Sequence, residues 1–222
     1  MTSALARLRD LPEAFTFAGF CKLSRLSNQA AAVCLTRWKE KGLVEAAGER
    51  ARLYFNKLKC NEVDGSLRVA ALLFEYPSAM LCGESVLHAT GWITQIPARL
   101  SVAVISRPSY VSLLGFDIHG RPLSWFKKIH PAVDSAPDKR IYGLRALPAS
   151  LALADLYGDP KGWHPDADDL DIPQEDLASV ATAATLLGVE LPAPLVRKIK
   201  AAAKTFDRLE VVDDLARTVR QE

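Results

Sequence analysis

The sequence predicts an α+β fold made of two parts, on three observations. The first 60 residues show three helical patterns followed by two short strand patterns. The later residues combine helical patterns with one stretch, residues 99–106, in which β-branched side chains are frequent as they are in strands. A polar segment at residues 59–66 lies between the two parts. We therefore predict one domain over residues 1–60 and a mixed α+β domain over residues 67–222.

Cap residues and helix-ending residues delimit the first elements. Thr16 and Ser27 are of the type that caps a helix N-terminus, and Pro12 and Gly42 are of types that end one. The predicted elements are helices over residues 4–11, 16–26 and 28–41 and two strands within residues 43–56, around a turn at residues 47–50.

The third predicted helix has two different faces. Its apolar face carries Ala31, Cys34, Leu35 and Trp38, and we expect these to pack against Phe17, Phe20 and Leu23 of the second helix. Its other face carries Asn28, Gln29, Ala32, Thr36, Arg37 and Lys39. The apolar face explains folding, whereas the polar face is either a solvated surface or a binding surface.

Charge and element order favour a binding surface. Residues 1–60 hold 11 Lys and Arg residues against 5 acids, a net charge of +6, whereas the rest of the chain carries −4. Two helices across a short turn, followed by two strands with basic residues, are typical of a winged helix-turn-helix. The sequence therefore predicts that residues 1–60 bind double-stranded DNA.

Residue chemistry assigns a role to most of the predicted contacts. Asn28 and Gln29 have the amide geometry that reads adenine edges, and Arg37 suits guanine or phosphate. Basic residues elsewhere suit phosphates, which set affinity rather than sequence preference. The full predicted DNA-contacting set is Ser27, Asn28, Gln29, Thr36, Arg37, Lys39, Lys41, Arg50 and Arg52. So few base-reading groups require a repeated operator, which we expect to be an inverted repeat.

The remaining elements are predicted from the periodicity of apolar residues and from the Gly and Pro residues that interrupt helices and strands. The predicted elements are helices over residues 67–76 and 82–92, a strand over residues 99–106, a hairpin around Gly120 within residues 116–131, a helix over residues 148–160, an acidic loop, and helices over residues 175–187, 194–204 and 208–220. We find no internal repeat in this part of the chain.

Residues 79–104 are similar to the start of a nucleotidyltransferase fold, in which a Gly-Ser-type turn enters a helix that precedes an acidic strand. Such enzymes need paired carboxylates to hold divalent metals. The expected strand, residues 99–106, has no acid, and Glu84 is the only acid between Glu75 and Asp117. We therefore predict a degenerate nucleotidyltransferase core with no catalytic residues and no enzyme activity.

The combination of the winged-helix pattern, "ERARLYFN" at residues 49–56 and "AMLCGESVLHATGWITQIPARLSVAV" at residues 79–104 resembles the AbiEi family of bacterial antitoxins. The resemblance covers residues 14–106. It implies a DNA-binding domain that represses its own operon, and a C-terminal domain that counters a nucleotidyltransferase toxin encoded next to it.

Other residue types give no site. The four cysteines form no C-x-x-C pair, so we expect reduced thiols and no zinc. The four histidines lack ligand spacing, and the acidic loop lacks the oxygen pattern of a calcium loop. We predict no metal, no cofactor and no membrane partner, and a cytoplasmic location, because the N-terminus lacks the apolar segment of a signal peptide.

Two alternative functions remain open. The first is a winged-helix regulator whose second domain senses a small molecule, which an apolar pocket with converging polar groups would favour. The second is a divergent nucleotidyltransferase, which nucleotide-dependent stabilisation would favour.

Overall fold

The structure is a computed structural model. It describes residues 4–48, 52–60, 62–105, 113, 115–136, 140–159 and 162–204. The helices are α1 (Ala4–Asp10), α2 (Phe17–Ser24), α3 (Asn28–Glu40), α4 (Gly65–Glu75), α5 (Gly83–Ala89), α6 (Leu123–Ser135), α7 (Ala149–Tyr157) and α8 (Leu177–Leu187), with a further helical stretch over residues 193–204. The strands are β1 (Ala14–Thr16), β2 (Val44–Ala46), β3 (Leu53–Asn56), β4 (Met80–Leu81), β5 (Leu100–Ile105), β6 (Phe116–Arg121), β7 (Arg140–Ile141) and β8 (Leu144–Arg145). The predicted α+β class is confirmed.

The chain forms two compact units. The first unit comprises residues 1–80, 99–122 and 142–145, and the second comprises residues 81–98, 123–141 and 146–222. The sequence-based domains, residues 1–60 and 67–222, stay a prediction about independent folding. In the structure, α4, β5 and β6 belong to the same compact unit as the N-terminal helices.

Side-chain caps fix the start of the second and third helices. The Thr16 Oγ1 accepts a hydrogen bond from the Gly19 N–H at 3.0 Å, and the Ser27 Oγ accepts one from the Ala30 N–H at 3.3 Å. Between the helices, Arg25 has a left-handed backbone with φ of 53°. This conformation ends α2 and allows α3 to begin three residues later.

A three-stranded antiparallel sheet completes the N-terminal part of the first unit. The strand order is β1-β3-β2, so β3 is central. Strand β1, only three residues long, was not predicted. The buried Asn56 at the end of β3 donates from Nδ2 to the Leu8 and Leu11 carbonyls at 2.8 and 3.2 Å. This amide therefore ties the end of α1 to the sheet.

Aromatic and aliphatic side chains form the core between these helices and the sheet. Phe20 and Trp38 lie with ring centroids 5.1 Å apart, and Phe15 stacks on Tyr54 at 5.8 Å. The prediction that Leu23 joins this core is wrong, because its side chain is 64% exposed. Leu23 lies one residue before the end of the eight-residue α2, and Phe20 alone among the residues of α2 is buried.

The rest of the first unit contains α4 and two parallel strands. Asp64 caps α4 by accepting the Leu67 N–H at 2.8 Å, and this hydrogen bond is the largest cause that lowers the Asp64 pKa. Strands β5 and β6 pair in parallel, with Leu100 opposite Phe116 and Ile105 opposite Arg121. Leu113 forms an isolated antiparallel bridge with Gly48.

The hairpin predicted within residues 116–131 is wrong. Gly120 lies inside β6 and pairs with Val104 of β5, so the partner strand precedes β6 in sequence. Residues 123–135 form α6, in which Ile129 and Val133 are buried at helical spacing. A parallel partner needs a crossover connection, which the local turn pattern did not reveal.

The second unit is mainly helical. Helix α7 is buried from Leu151 to Asp155, and the Asp155 Oδ1 accepts the Trp125 indole N–H at 2.9 Å. The predicted acidic loop is confirmed over described residues 162–173, where the Tyr157 hydroxyl donates to the Pro165 carbonyl at 2.8 Å. The helix predicted over residues 208–220 lies outside the described residues. In the described part of the chain, no helix has the length and apolar content to span a membrane.

Candidate nucleic-acid interface

Helix α3 has one buried face and one exposed face, as its sequence predicts. Ala31, Leu35 and Trp38 are buried, each 3% exposed or less, and Cys34 is partly buried. Burial raises the pKa of the Cys34 thiol, while the nearby Arg7 and Arg37 charges lower it less. The apolar face is therefore committed to the core, and the opposite face is open to solvent.

The predicted base-reading residues lie together on the exposed face. Asn28 and Gln29 occupy the first turn of α3, immediately after the Ser27 cap, and all three are exposed. Thr36, also exposed, donates from Oγ1 to the Ala32 carbonyl at 3.0 Å, one turn earlier in the same helix. Ala30 and Ala32 are exposed as well, so the side chains between the polar groups are short.

Three of the predicted phosphate-contacting cations follow at the C-terminal end of α3. Arg37 and Lys39 lie in the last turn, and Lys41 is the C-terminal cap residue. All three are exposed. The helix thus presents amides at its start and, together with the exposed acid Glu40, cations at its end. Between them the exposed face carries Thr36 and the apolar residues Ala30, Ala32 and Val33.

Two predicted cations belong to the connection between β2 and β3. Arg50 lies outside the described residues. Arg52, directly before β3, has a side chain that is 84% exposed, and its Nε lies 3.7 Å from the Glu75 Oε2. Most of the Arg52 side chain is therefore open to solvent.

Sequence reasoning missed two features of this surface. Arg25, in the tight turn between α2 and α3, is exposed and held by a left-handed backbone that nothing in the local sequence signals. Lys57 is half-buried and lies 3.5 Å from Glu45, so its charge is offset within the sheet. A cross-strand pair of this kind depends on register, which short strands do not specify in sequence.

The nucleotidyltransferase-like stretch brings no carboxylates together. Strand β5 holds no acid, and Glu84 lies in the first turn of α5. On β6, Asp117 pairs with Ser101 in register, and its Oδ2 lies 3.6 Å from the His119 Nε2. Among the described residues, no three His, Cys, Asp or Glu side chains are grouped to hold a metal ion.

Helices α6, α7 and α8 line a groove with a volume of about 370 Å³ in the second unit. Its walls combine apolar residues such as Leu151 and Leu186 with hydroxyl groups. Two of these hydroxyls bond within their own helices: Ser135 donates to the Ala132 carbonyl at 3.2 Å and Thr182 to the Ala178 carbonyl at 3.1 Å. The groove therefore combines apolar area with a few polar groups.

Comparison with known proteins gives one structural likeness of note. The sequence matches no protein-family model and no curated protein. Its fold is similar to the crystal structure of the Rv2827c protein from Mycobacterium tuberculosis, with a TM-score of 0.51 and 16% identity, over 90% of this chain and 74% of that chain. The likeness is one of fold. It supports the α+β class and carries no residue roles.

Proposed function

We propose that the N-terminal part of the first unit is a winged helix-turn-helix and that the chain is a DNA-binding transcriptional repressor. The observation that carries the proposal is the exposed face of α3, where Asn28 and Gln29 lie at the helix start and Arg37 and Lys39 at its end. The supporting topology is α2–turn–α3 followed by the β2–β3 pair, which is the order of a helix-turn-helix with one wing.

The proposed docking places α3 in the major groove. The short Ala30 and Ala32 side chains allow the helix backbone to approach the DNA, and the two amides reach base edges. Arg37, Lys39 and Lys41 lie toward the other end of the helix and contact phosphates. In this docking the wing, with Arg50 and Arg52, contacts the adjacent backbone.

Affinity measurements on the full chain test this docking. The double variant Arg37→Ala/Lys39→Ala removes two exposed cations from α3, and Lys127→Ala/Lys128→Ala removes two exposed cations from α6 as the matched control. We expect the α3 variant to bind duplex DNA at least tenfold more weakly, roughly what two phosphate contacts contribute, and the control to bind like wild type. Equal losses in both variants would mean that net charge alone drives binding.

We further propose that the repressor is also an antitoxin. This part rests on the resemblance of residues 14–106 to AbiEi antitoxins and on no contact described above. It implies a nucleotidyltransferase toxin encoded next to this gene. Since the described β5 and α5 present no carboxylate pair, neutralisation proceeds without metal-dependent nucleotide transfer by this chain.

Co-expression with the neighbouring toxin tests the antitoxin proposal. We expect full-length Glu84→Gln to restore growth as well as wild type, because Glu84 has no catalytic role. The DNA-defective Arg37→Ala/Lys39→Ala variant also restores growth when expressed from a separate promoter. Loss of rescue in a folded Glu84→Gln variant would instead favour a nucleotidyltransferase activity.

The groove between α6, α7 and α8 favours a second candidate, a repressor that senses a small molecule. Its volume of about 370 Å³ lies within the range of ligand pockets. Native mass spectrometry of the purified chain tests this candidate, with Thr182→Trp as a groove-filling variant. A bound small molecule that is lost in Thr182→Trp would favour sensing, whereas the mass of the polypeptide alone would favour the antitoxin proposal.

A further inference from the structure

Glu75 and Arg52 make the contact that joins the wing to α4. The Glu75 side chain is only 9% exposed, although it ends a helix at the surface. Its Oε1 accepts the Arg52 backbone N–H at 3.1 Å, and its Oε2 lies 3.7 Å from the Arg52 Nε. One carboxylate thus contacts both the backbone and the side chain of the residue that leads into β3.

Arg52 is also bonded on its other side. Its carbonyl accepts the Phe17 N–H at 3.3 Å, and Phe17 is the first residue of α2. The next residue, Leu53, is buried and bonds through its carbonyl to the Ala47 N–H at 3.0 Å. The backbone of Arg52 is therefore held between the carboxylate of Glu75 and the start of the helix that precedes α3.

The two contacts of Glu75 differ in strength. The ion pair involves a guanidinium that is 84% exposed, and such pairs contribute little because water screens them. The hydrogen bond to the backbone N–H lies at the exposed side of the contact, but it is charge-assisted and its acceptor side chain is only 9% exposed. It therefore fixes the position of the Arg52 backbone more firmly than the ion pair does. Any role of Glu75 is therefore expected to depend on the hydrogen bond to the Arg52 N–H more than on the ion pair with its guanidinium.

We infer that Glu75 is a positioning residue for DNA binding, an inference that rests on the proposed function. By holding the Arg52 backbone, Glu75 sets the path of the wing relative to α2 and α3. The Glu75 carboxylate faces the Nε atom of Arg52, so the terminal guanidinium nitrogens stay available to bind a DNA phosphate. Without such a positioning role, a carboxylate beside a DNA-binding cation is expected only to weaken DNA binding, because it repels phosphates.

Substitutions at Glu75 separate positioning from repulsion. Glu75→Gln keeps an acceptor oxygen and removes the charge, whereas Glu75→Ala removes both. Glu75→Asp keeps the charge and withdraws the acceptor by one methylene. Glu62→Ala is the matched control, because Glu62 is an exposed acid that leads toward α4, outside the Arg52 contact described above.

The measurements are the DNA affinity of each full-length variant and the hydrogen exchange of the Arg52 amide. We expect Glu75→Ala to bind about three- to tenfold more weakly, the typical net value of one such hydrogen bond, with faster exchange at Arg52. Glu75→Asp is expected to show the same changes to a smaller degree. Glu75→Gln keeps a neutral acceptor, so it should bind between wild type and Glu75→Ala. Glu62→Ala should bind within about twofold of wild type, as expected for an exposed charge. In an Arg52→Ala background, Glu75→Ala should cost less than it does in wild type.

Other outcomes overturn the inference in distinguishable ways. If Glu75→Ala and Glu75→Gln both bind more tightly than wild type, the carboxylate only repels phosphates. If Arg37→Ala/Lys39→Ala weakens binding while every Glu75 variant binds like wild type, DNA binding stands and the positioning role fails. If the wild-type chain shows no DNA binding, both the inference and the proposed function fail. Where Glu75→Ala does not fold, Glu75→Asp decides by the same two measurements.

Discussion

Helices α3 and α7 illustrate two different uses of a helix in this chain. In α3, three of 13 residues are buried, and they recur at helical spacing on one face. In α7, five consecutive residues of nine are buried, from Leu151 to Asp155, so burial is not confined to one face of the helix. Most of α7 therefore packs inside its unit, whereas α3 leaves one face exposed, which is the face of the proposed DNA contact. Substitutions in the two helices should therefore have different consequences.

The largest expected effect is on stability, and it compares three leucines. Leu35→Ala in α3 and Leu153→Ala in α7 remove buried side chains, 3% and 0% exposed, and each should lower the free energy of unfolding by about 2–5 kcal/mol. Leu23→Ala, at a side chain that is 64% exposed, should change it by no more than about 0.5 kcal/mol. Urea denaturation measures all three. A large loss for Leu23→Ala would place Leu23 in an interface.

The next effect is on sequence preference. Asn28→Ala and Gln29→Ala should leave stability unchanged and reduce the preference for operator over random DNA by about 1–3 kcal/mol per lost bidentate contact. Arg50→Ala and Arg52→Ala should weaken binding to all sequences alike, because phosphates carry no sequence. Competition binding with the DNA upstream of this gene measures both effects. If the wing variants alter preference and the helix variants do not, the docking of α3 is wrong.

A smaller effect concerns Gly42, the residue after the C-terminal cap of α3. Gly42 has φ of +65° and open space where a Cβ atom would lie, so Gly42→Ala should cost about 1 kcal/mol through backbone strain alone. Gly65 also has open space but lacks a positive φ, so Gly65→Ala at the start of α4 should be neutral or stabilising. Thermal unfolding of the two variants makes the comparison. If both substitutions changed stability equally, the left-handed conformation of Gly42 would not be the cause of its loss of stability.

The smallest effect is confined to alkaline pH and to the second unit. Burial, with a smaller contribution from Asp166, raises the pKa of Tyr157 to about 12. Because the folded pKa exceeds the unfolded one, the contribution of Tyr157 is complete below about pH 10 and falls as pH rises toward about 12. The difference in unfolding free energy between wild type and Tyr157→Phe should change across this range. A constant difference would contradict the raised pKa.

Local signals in the sequence predicted the elements that depend on neighbours in the chain. The caps at Thr16 and Ser27 and the spacing of Ala31, Leu35 and Trp38 defined α2 and α3, because caps and helical periodicity act within one or two turns. The same spacing predicted which face of α3 is exposed, and this face carries the candidate site. Arg50 stays untested, since it lies outside the described residues.

Features that depend on distant partners were missed. Strand β1 pairs with β3, with Ala14 opposite Phe55, and three residues give too weak a pattern to predict alone. The predicted hairpin was replaced by parallel pairing of β6 with β5, because a parallel partner is joined through a crossover that a local turn pattern does not indicate. The contact between Glu75 and Arg52 spans 23 positions, and no periodicity links the two residues. Sequence patterns therefore predicted the exposed surface of α3 but not the contact that holds Arg52 at the start of β3.

The central claim is that cations on the exposed face of α3 contact DNA phosphates and release counterions from them. The salt dependence of binding tests this claim most directly. Fluorescence anisotropy of the full-length chain with labelled duplex DNA gives the affinity from low to moderate salt. We expect log affinity to fall linearly with log salt, and the slope to shrink by roughly two for Arg37→Ala/Lys39→Ala, about one per lost phosphate contact, but not for Lys127→Ala/Lys128→Ala. An affinity that is independent of salt, or a slope that changes only with the α6 cations, would contradict the claim.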